Sequence, residues 1–310
     1  MKGIVIKSTG SWYKIKQEDL SILDARMKGK IRLKELNTTN PVAVGDRVDY
    51  EYESSGDETY GVITAVEKRN NYIIRKSNKL SKQGQIIAAN IDLALLLVTL
   101  SSPKTSLGFI DRFLVMAGAY HIPVTLVFNK YDQYSEEEKL YYAHLKELYE
   151  SLGYSCILSS IYMEDYLPSK QLSEAIENKT VLISGHSGVG KSSLLNALLP
   201  SAFQKVDKIS DSHQRGKHTT TFAEMFNISE HTAIIDTPGI RDFGIIDIEE
   251  AEIGHYFPEI RHYMQTCRFH NCKHLNEPDC AVIAAYESGE MAASRYYNYL
   301  SILDNQNIFS

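Results

Sequence analysis

A chain of 310 residues, 43% hydrophobic and 23% charged, can bury several cores without disulfide or metal staples, which excludes a disordered or fibrous protein. Its net charge of −6 excludes a uniformly basic nucleic-acid binder, but the charge is split. Residues 1 to 85 carry 16 Lys and Arg against 11 Asp and Glu, a net of +5, and the remainder carries 17 against 28, a net of −11. A basic front end suits an RNA or phosphate-facing surface, and equally a solvated lysine-rich barrel.

In chain order, residues 1 to 75 break into five short alternating runs: GIVIKS, WYKIK, ILDARMKGKIRL, GDRVDYEYE and YGVITAVEK. Gly, Asn, Asp and Ser clusters separate them, and five such strands predict a small barrel, of which the oligonucleotide-binding (OB) fold is one solution. Trp12, Tyr13, Tyr50 and Tyr52 are aromatic residues of this segment that could stack bases or fill the core, and the sequence does not choose. Residues 76 to 89, polar and poorly periodic, read as a linker. The opening stretch MKGIVIKSTG alternates like a strand, and no signal peptide is expected there.

From Asn90 the pattern changes. Apolar strands (LALLLVTL from Leu93, PVTLVF, SCIL, KTVLIS) alternate with helical segments, as in an α/β domain whose mostly parallel strands are buried on both faces. The longest of these runs is far below the roughly 18 residues of a membrane span, so no membrane association is expected and the chain reads as cytoplasmic. This domain is expected over residues 90 to 250. A mainly helical domain around a Cys/His cluster is expected over residues 251 to 310.

Ligands bind such sheets at the carboxyl ends of the strands, and the informative motifs lie there. GHSGVGKSS, Gly185 to Ser193, follows a strand and opens a helix, the context a phosphate-binding loop requires. Gly185, Gly188 and Gly190 let the backbone turn its N–H groups inward as an anion nest, and the helix adds its positive end. His186, Ser187 and Val189 fill the variable positions. Lys191 is placed to reach the β and γ phosphates, Ser192 to hold Mg²⁺, and Ser193 continues the helix.

The base is chosen by NKYD, Asn129 to Asp132. Asp132 can accept from the N1–H and exocyclic amine of guanine, groups that adenine lacks, while Asn129 bonds the N7 side and Lys130 lies along the ring. Ser159 and Ser160, on the next strand end, are placed to back the base. AIIDTPG delivers Asp236 toward Mg²⁺ and the Gly239 N–H toward the γ phosphate. The polar stretch between, SDSHQRGKHTTT, has the character of a nucleotide-sensing loop, in which Thr219 or Thr220 completes the Mg²⁺ shell. GTP and GDP are therefore the expected ligands, with Mg²⁺. Base recognition precedes the phosphate loop, a circular permutation of the usual GTPase order.

Near the end, Cys267, Cys272 and Cys280 with His274 give a C-x4-C-x-H-x5-C spacing. In a cytoplasmic chain such clustering points to one structural Zn²⁺ rather than disulfides, with His270 a second choice for the imidazole by proximity. Cys156, alone on an apolar strand, reads as an inert core residue.

The permuted order, the N-terminal barrel and CRFHNCKHLNEPDC together resemble the RsgA or YjeQ family of small-ribosomal-subunit-dependent GTPases over nearly the whole chain. The resemblance implies an OB barrel, a permuted GTPase domain and a zinc-binding helical domain, acting late in small-subunit maturation through rRNA and ribosomal proteins, as a monomer. It implies His274 rather than His270 as the zinc ligand. It also implies a catalytic role for His218, because Ile240 stands where Ras-like GTPases carry a water-orienting glutamine. Gly188 stands where some related GTPases carry an asparagine that holds K⁺, so that device is not expected. Two other classes remain: an RNA-binding module gated by nucleotide whose hydrolysis is incidental, and an ATP-using kinase or ATPase, which Asp132 disfavours.

Overall fold

The computed structural model describes residues 1–29, 40–56, 58–76, 84–163, 170–199, 223–237 and 248–307. Five strands form the N-terminal unit: β1 (Lys2–Ser8), β2 (Tyr13–Gln17), β3 (Ile22–Met27), β4 (Arg47–Ser55) and β5 (Glu58–Val66). They pair in the order β1-β2-β3-β5-β4, and β4 pairs back onto β1, so the sheet closes. Only β3 and β5 run parallel. A five-stranded barrel of this connectivity is an OB fold. Alternation drives it: along β2, Tyr13 and Ile15 are buried and Lys14 exposed, and the inward residues meet Val5, Val48 and Ile63. Tyr13 and Tyr50 are thus core residues, whereas Trp12 and Tyr52 are 40% and 48% exposed.

Part of the stretch 76 to 89, expected as a linker, is ordered. β6 (Tyr72–Lys76) and β7 (Gly84–Ala89) pair as an antiparallel hairpin, and Ile73, Ile74, Ile86 and Ala88 are buried. Val44 bridges to Ala88, and the Asn40 side chain bonds both the N–H and C=O of Ile86. The two apolar pairs, Ile73–Ile74 and Ile86–Ile87, are too short to show a period among polar neighbours. They become legible only when the barrel supplies a surface.

The central unit contains β8 (Leu93–Val98), α1 (Leu107–Ala119), β9 (Val124–Phe128), α2 (Glu136–Ser151), β10 (Ser155–Leu158), α3 (Lys170–Ile176), β11 (Thr180–Ser184), α4 (Lys191–Leu198), β12 (Glu224–Asn227) and β13 (Ala233–Asp236). The order is β10-β9-β8-β11-β13-β12, parallel except for β12. Every residue of β8 is buried. Ala94, Leu96 and Val98 enter the core on one face, Leu93, Leu95 and Leu97 the core on the other, which is why the strand reads as one apolar run. α2 begins at a capping box in which Ser135 and Glu138 satisfy each other's N–H groups. Barrel and central sheet join where Lys7 of β1 pairs with Glu224 of β12, and the Lys7 ammonium lies 2.9 Å from the Glu224 carboxylate.

The C-terminal unit comprises a 3-10 helix (Glu250–Tyr256), α5 (Pro258–Tyr263), α6 (Ala281–Ser288) and α7 (Ala293–Asn307). Its core takes in Val115 of α1. A buried polar network crosses the same junction. Arg295 of α7, 1% exposed, donates from Nη1 to Asp111 Oδ1 of α1 at 2.5 Å and from Nε to Glu259 Oε1 of α5 at 2.6 Å. Asp111 also accepts from Tyr149 of α2 at 2.8 Å and from Asn298 of α7 at 2.6 Å. Among the described residues, no helix is long and apolar enough to cross a membrane.

Candidate functional site

The parallel sheet brings three strand ends into one place. Asn129 and Lys130 follow β9, Ser159 and Ser160 follow β10, and the phosphate loop follows β11. Asn129 is 2% exposed, and its Nδ2 donates to the Val189 carbonyl at 2.8 Å, so the NKYD segment is tied directly to the glycine-rich loop sixty residues later. The amide has a second N–H to donate, and its buried Oδ1 has no partner among the described residues. Gly190 is required by this clamp. Its φ is +101°, and a Cβ there would lie 2.4 Å from Asn129 Nδ2. Gly185, at φ +143°, passes so close to β8 that a Cβ would lie 2.7 Å from the Leu97 carbonyl.

Lys130 is left-handed, at φ +63°, and its ammonium donates to the Ser102 carbonyl. The Ser160 hydroxyl donates to Asp132 Oδ1 and accepts from the Tyr162 N–H at 3.2 Å. Asp132 is thereby oriented, with acceptor capacity left on its carboxylate. The Ser pair divides its labour. Ser160 positions Asp132, while Ser159 acts through its carbonyl, which accepts from Tyr131 N–H at 3.2 Å, and its buried hydroxyl has no partner among the described residues. A cavity of about 250 Å³ opens here, lined by Asn129, Lys130, Asp132, Tyr162, Gly188 and Ser193 among others.

Around the phosphate loop, the Lys191 ammonium donates to the carbonyls of Gly185 at 2.7 Å and His186 at 2.8 Å. α4 starts at Lys191 with Gly190 as its N-cap, so the positive end of the helix adjoins the loop. Ser187, Gly188, Ser192 and Ser193 are exposed. Asp236 ends β13 beside Ile183 of β11, and Thr237 Oγ1 donates to the Ile183 carbonyl at 3.3 Å. A Mg²⁺ ion fits this donor set: a hydroxyl at the first turn of α4 and a carboxylate on the adjoining strand end. His218, Thr219, Thr220, Gly239 and Ile240 lie outside the described residues.

Two features escaped the sequence. The His186 ring packs against Phe109 of α1 at a tilt of 32°, with centroids 3.7 Å apart, giving a variable loop position a packing role. Tyr162 lines the base cavity, and the only signal for it was its place two residues after the Ser pair.

In the C-terminal unit, Cys267, Cys272, His274 and Cys280 present ligand atoms within 4.8 Å of one another. Cys267 and Cys280 sulfurs are 3.9 Å apart, and His274 Nδ1 lies 3.6 Å and 3.4 Å from them. Ligands at the corners of a tetrahedron around zinc are about 3.5 to 3.8 Å apart, given Zn–S near 2.3 Å and Zn–N near 2.0 Å. The cluster therefore fits zinc, with His274 rather than His270 in it. Burial pushes the Cys272 thiol up to about 12 and holds His274 below its ordinary value, so the groups are neutral unless a cation draws the thiolates out. The loop is shaped by Glu277. Burial opposes its charge, but backbone N–H groups of Lys273, Leu275 and Asn276 donate to it and bring it down to about 2.

The family model described as RsgA N-terminal domain matches residues 2–63, and that described as RsgA GTPase matches residues 66–246. A "Small ribosomal subunit biogenesis GTPase RsgA" of Christiangramia forsetii is 50% identical, over 99% of this chain and 96% of its own. A "Small ribosomal subunit biogenesis GTPase RsgA 2" of Bacteroides thetaiotaomicron is 48% identical, over 99% and 97%. Among solved structures, YjeQ from Thermotoga maritima superposes with a TM-score of 0.77 at 32% identity, covering 98% of this chain and 97% of that one. YloQ, described as a circularly permuted GTPase, superposes with a TM-score of 0.74 at 29% identity, covering 100% and 96%. With its barrel, its permuted nucleotide site and its Cys3His cluster in this order, the chain belongs to the RsgA family of GTPases.

Proposed function

We propose that this protein hydrolyses GTP in a reaction stimulated by the small ribosomal subunit, as a late assembly factor that binds rRNA in the cytoplasm as a monomer. The observation that carries the nucleotide half is the Asn129–Val189 hydrogen bond, which builds one pocket from motifs in permuted order. The ribosomal half rests on the full-length relatives and on their printed names.

In the proposed roles, Asp132, Asn129 and Lys130 hold guanine, backed by Ser160. The N–H groups of Gly185 to Ser193 and the Lys191 ammonium hold the phosphates, and Ser192 and Asp236 hold Mg²⁺, which when bound neutralises charge on the β and γ oxygens. His218 orients the attacking water, Thr219 or Thr220 completes the Mg²⁺ shell, and the Gly239 N–H meets the γ phosphate. These last four lie outside the described residues. Cys267, Cys272, His274 and Cys280 hold one structural Zn²⁺.

For RNA, the barrel offers an exposed platform: the Arg26 guanidinium lies 4.2 Å from the Trp12 ring and 4.8 Å from the Tyr60 ring. The domain limits proposed are a barrel over 1–75 and a GTPase domain over 90–250, with a zinc domain over 251–310, the hairpin serving as the joint between the first two.

The test is GTP turnover, with ATP as control, with and without purified small subunits. Strong stimulation by small subunits, lost in His218→Ala, is expected. GTP binding without stimulation would leave the pocket and remove the partner. Unchanged stimulated turnover in His218→Ala would remove the histidine's role.

A further inference from the structure

The cavity beside Asp132 has an edge reader and a lysine but needs a second wall, and the chain places an aromatic ring there. Tyr162 lines the cavity together with Lys130 and Asp132, and is 76% exposed. Among the described residues Tyr162 belongs to no buried core cluster. Its backbone, by contrast, is held: the Ser160 hydroxyl that donates to Asp132 also accepts from the Tyr162 N–H. One hydroxyl therefore ties the carboxylate that reads the guanine edge to the residue whose ring borders the same cavity. The small residues Gly188, Gly190 and Ser193 line the same cavity, as does Ile161.

From this arrangement we infer that Tyr162 is a positioning residue that stacks on the face of the bound base, with the Lys130 stem as the other wall. The inference rests on the guanine-nucleotide reading of the site and adds a division of roles to it. Asp132 discriminates, because only guanine offers it two donors. Tyr162 adds affinity without discrimination, because every purine has a π face.

The experiment measures GDP and inosine diphosphate affinity by calorimetry for the full chain and for Tyr162→Ala, Tyr162→Phe and Asp132→Asn. Inosine lacks the exocyclic amine, so it separates face from edge. Tyr162→Ala is expected to weaken both nucleotides by the same factor, at least about 5-fold and up to about 150-fold, the range of base–aromatic stacking. Tyr162→Phe should stay within about 2-fold of the parent, and Asp132→Asn should change the ratio between the nucleotides. Three results would overturn the inference: less than a 2-fold change in Tyr162→Ala, an equal loss in Tyr162→Phe, or a loss confined to GDP.

A direct readout comes from Tyr162→Trp in a Trp12→Phe background, where the introduced indole is the only tryptophan in a chain that has one. Quenching on GDP addition is expected, and unchanged emission with GDP bound counts against stacking. Failure of the unsubstituted chain to bind GDP would instead sink the nucleotide reading itself.

Discussion

Replacing Arg295 by Met should loosen the joint between the GTPase and C-terminal units. Arg295 makes three hydrogen bonds to two carboxylates, at 2.5 Å to Asp111 and at 2.6 Å and 3.2 Å to Glu259, with side-chain exposures of 1%, 0% and 8% for the three residues. Methionine keeps most of the packing volume against Phe257, over whose ring the guanidinium sits at 4.5 Å, but leaves both carboxylates without their cation. Removing one partner of a buried pair costs about 3 to 5 kcal/mol. Asp111 keeps the Tyr149 and Asn298 donors, which places the expected loss at the lower end, about 3 kcal/mol. Hydrogen exchange read on peptides of α1 and α7 suits a multidomain chain better than a global melt, since two-state unfolding is not assured. A 3 kcal/mol loss corresponds to roughly 150-fold faster exchange there, against little change in the barrel. The triple change Asp111→Asn, Glu259→Gln, Arg295→Met, which removes the orphaned charges, should recover at least half of that difference. Exchange in Arg295→Met within about threefold of the parent, or a triple variant worse than the single, would show that the network is not what holds this interface.

Three further outcomes are expected. Gly190→Ala meets Asn129 Nδ2 at 2.4 Å and forces a left-handed alanine, so GDP affinity should fall by at least about tenfold in a titration while the far-ultraviolet circular dichroism is retained. Asp132→Asn should lower GDP affinity by about 100-fold or more, and competition binding should show a turn toward xanthosine diphosphate, whose C2 carbonyl can accept from the new amide. Elemental analysis should find one zinc per chain, and Cys280→Ser should lose it together with exchange protection across α6, whose start Cys280 caps.

The motifs proposed for the site were legible because their chemistry depends on local spacing. The glycines of GHSGVGKS, the carboxylate of NKYD and the three cysteines with His274 are each confined to a short stretch whose residue types admit few other uses. Closely spaced β-alternation likewise exposed the barrel, and uninterrupted apolar runs exposed the parallel sheet. What a single stretch cannot carry is which distant groups meet. The hydrogen bond from Asn129 to Val189, the packing of His186 against Phe109 and the placing of Tyr162 beside Lys130 join residues far apart in the chain. So does the pairing of Asp111 with Arg295, 184 positions away, which reads in sequence as two unremarkable surface charges. The hairpin at 72 to 89 was hidden for the same reason, since two isoleucine pairs have no visible period until the barrel gives them something to bury against. Sequence pattern alone carried the barrel, the parallel sheet and the Cys3His spacing in their order along the chain, because these follow from residue type and local periodicity. Tertiary structure alone decided which side chains share a pocket and which charges are buried together, because burial and contact depend on how strands and helices pack.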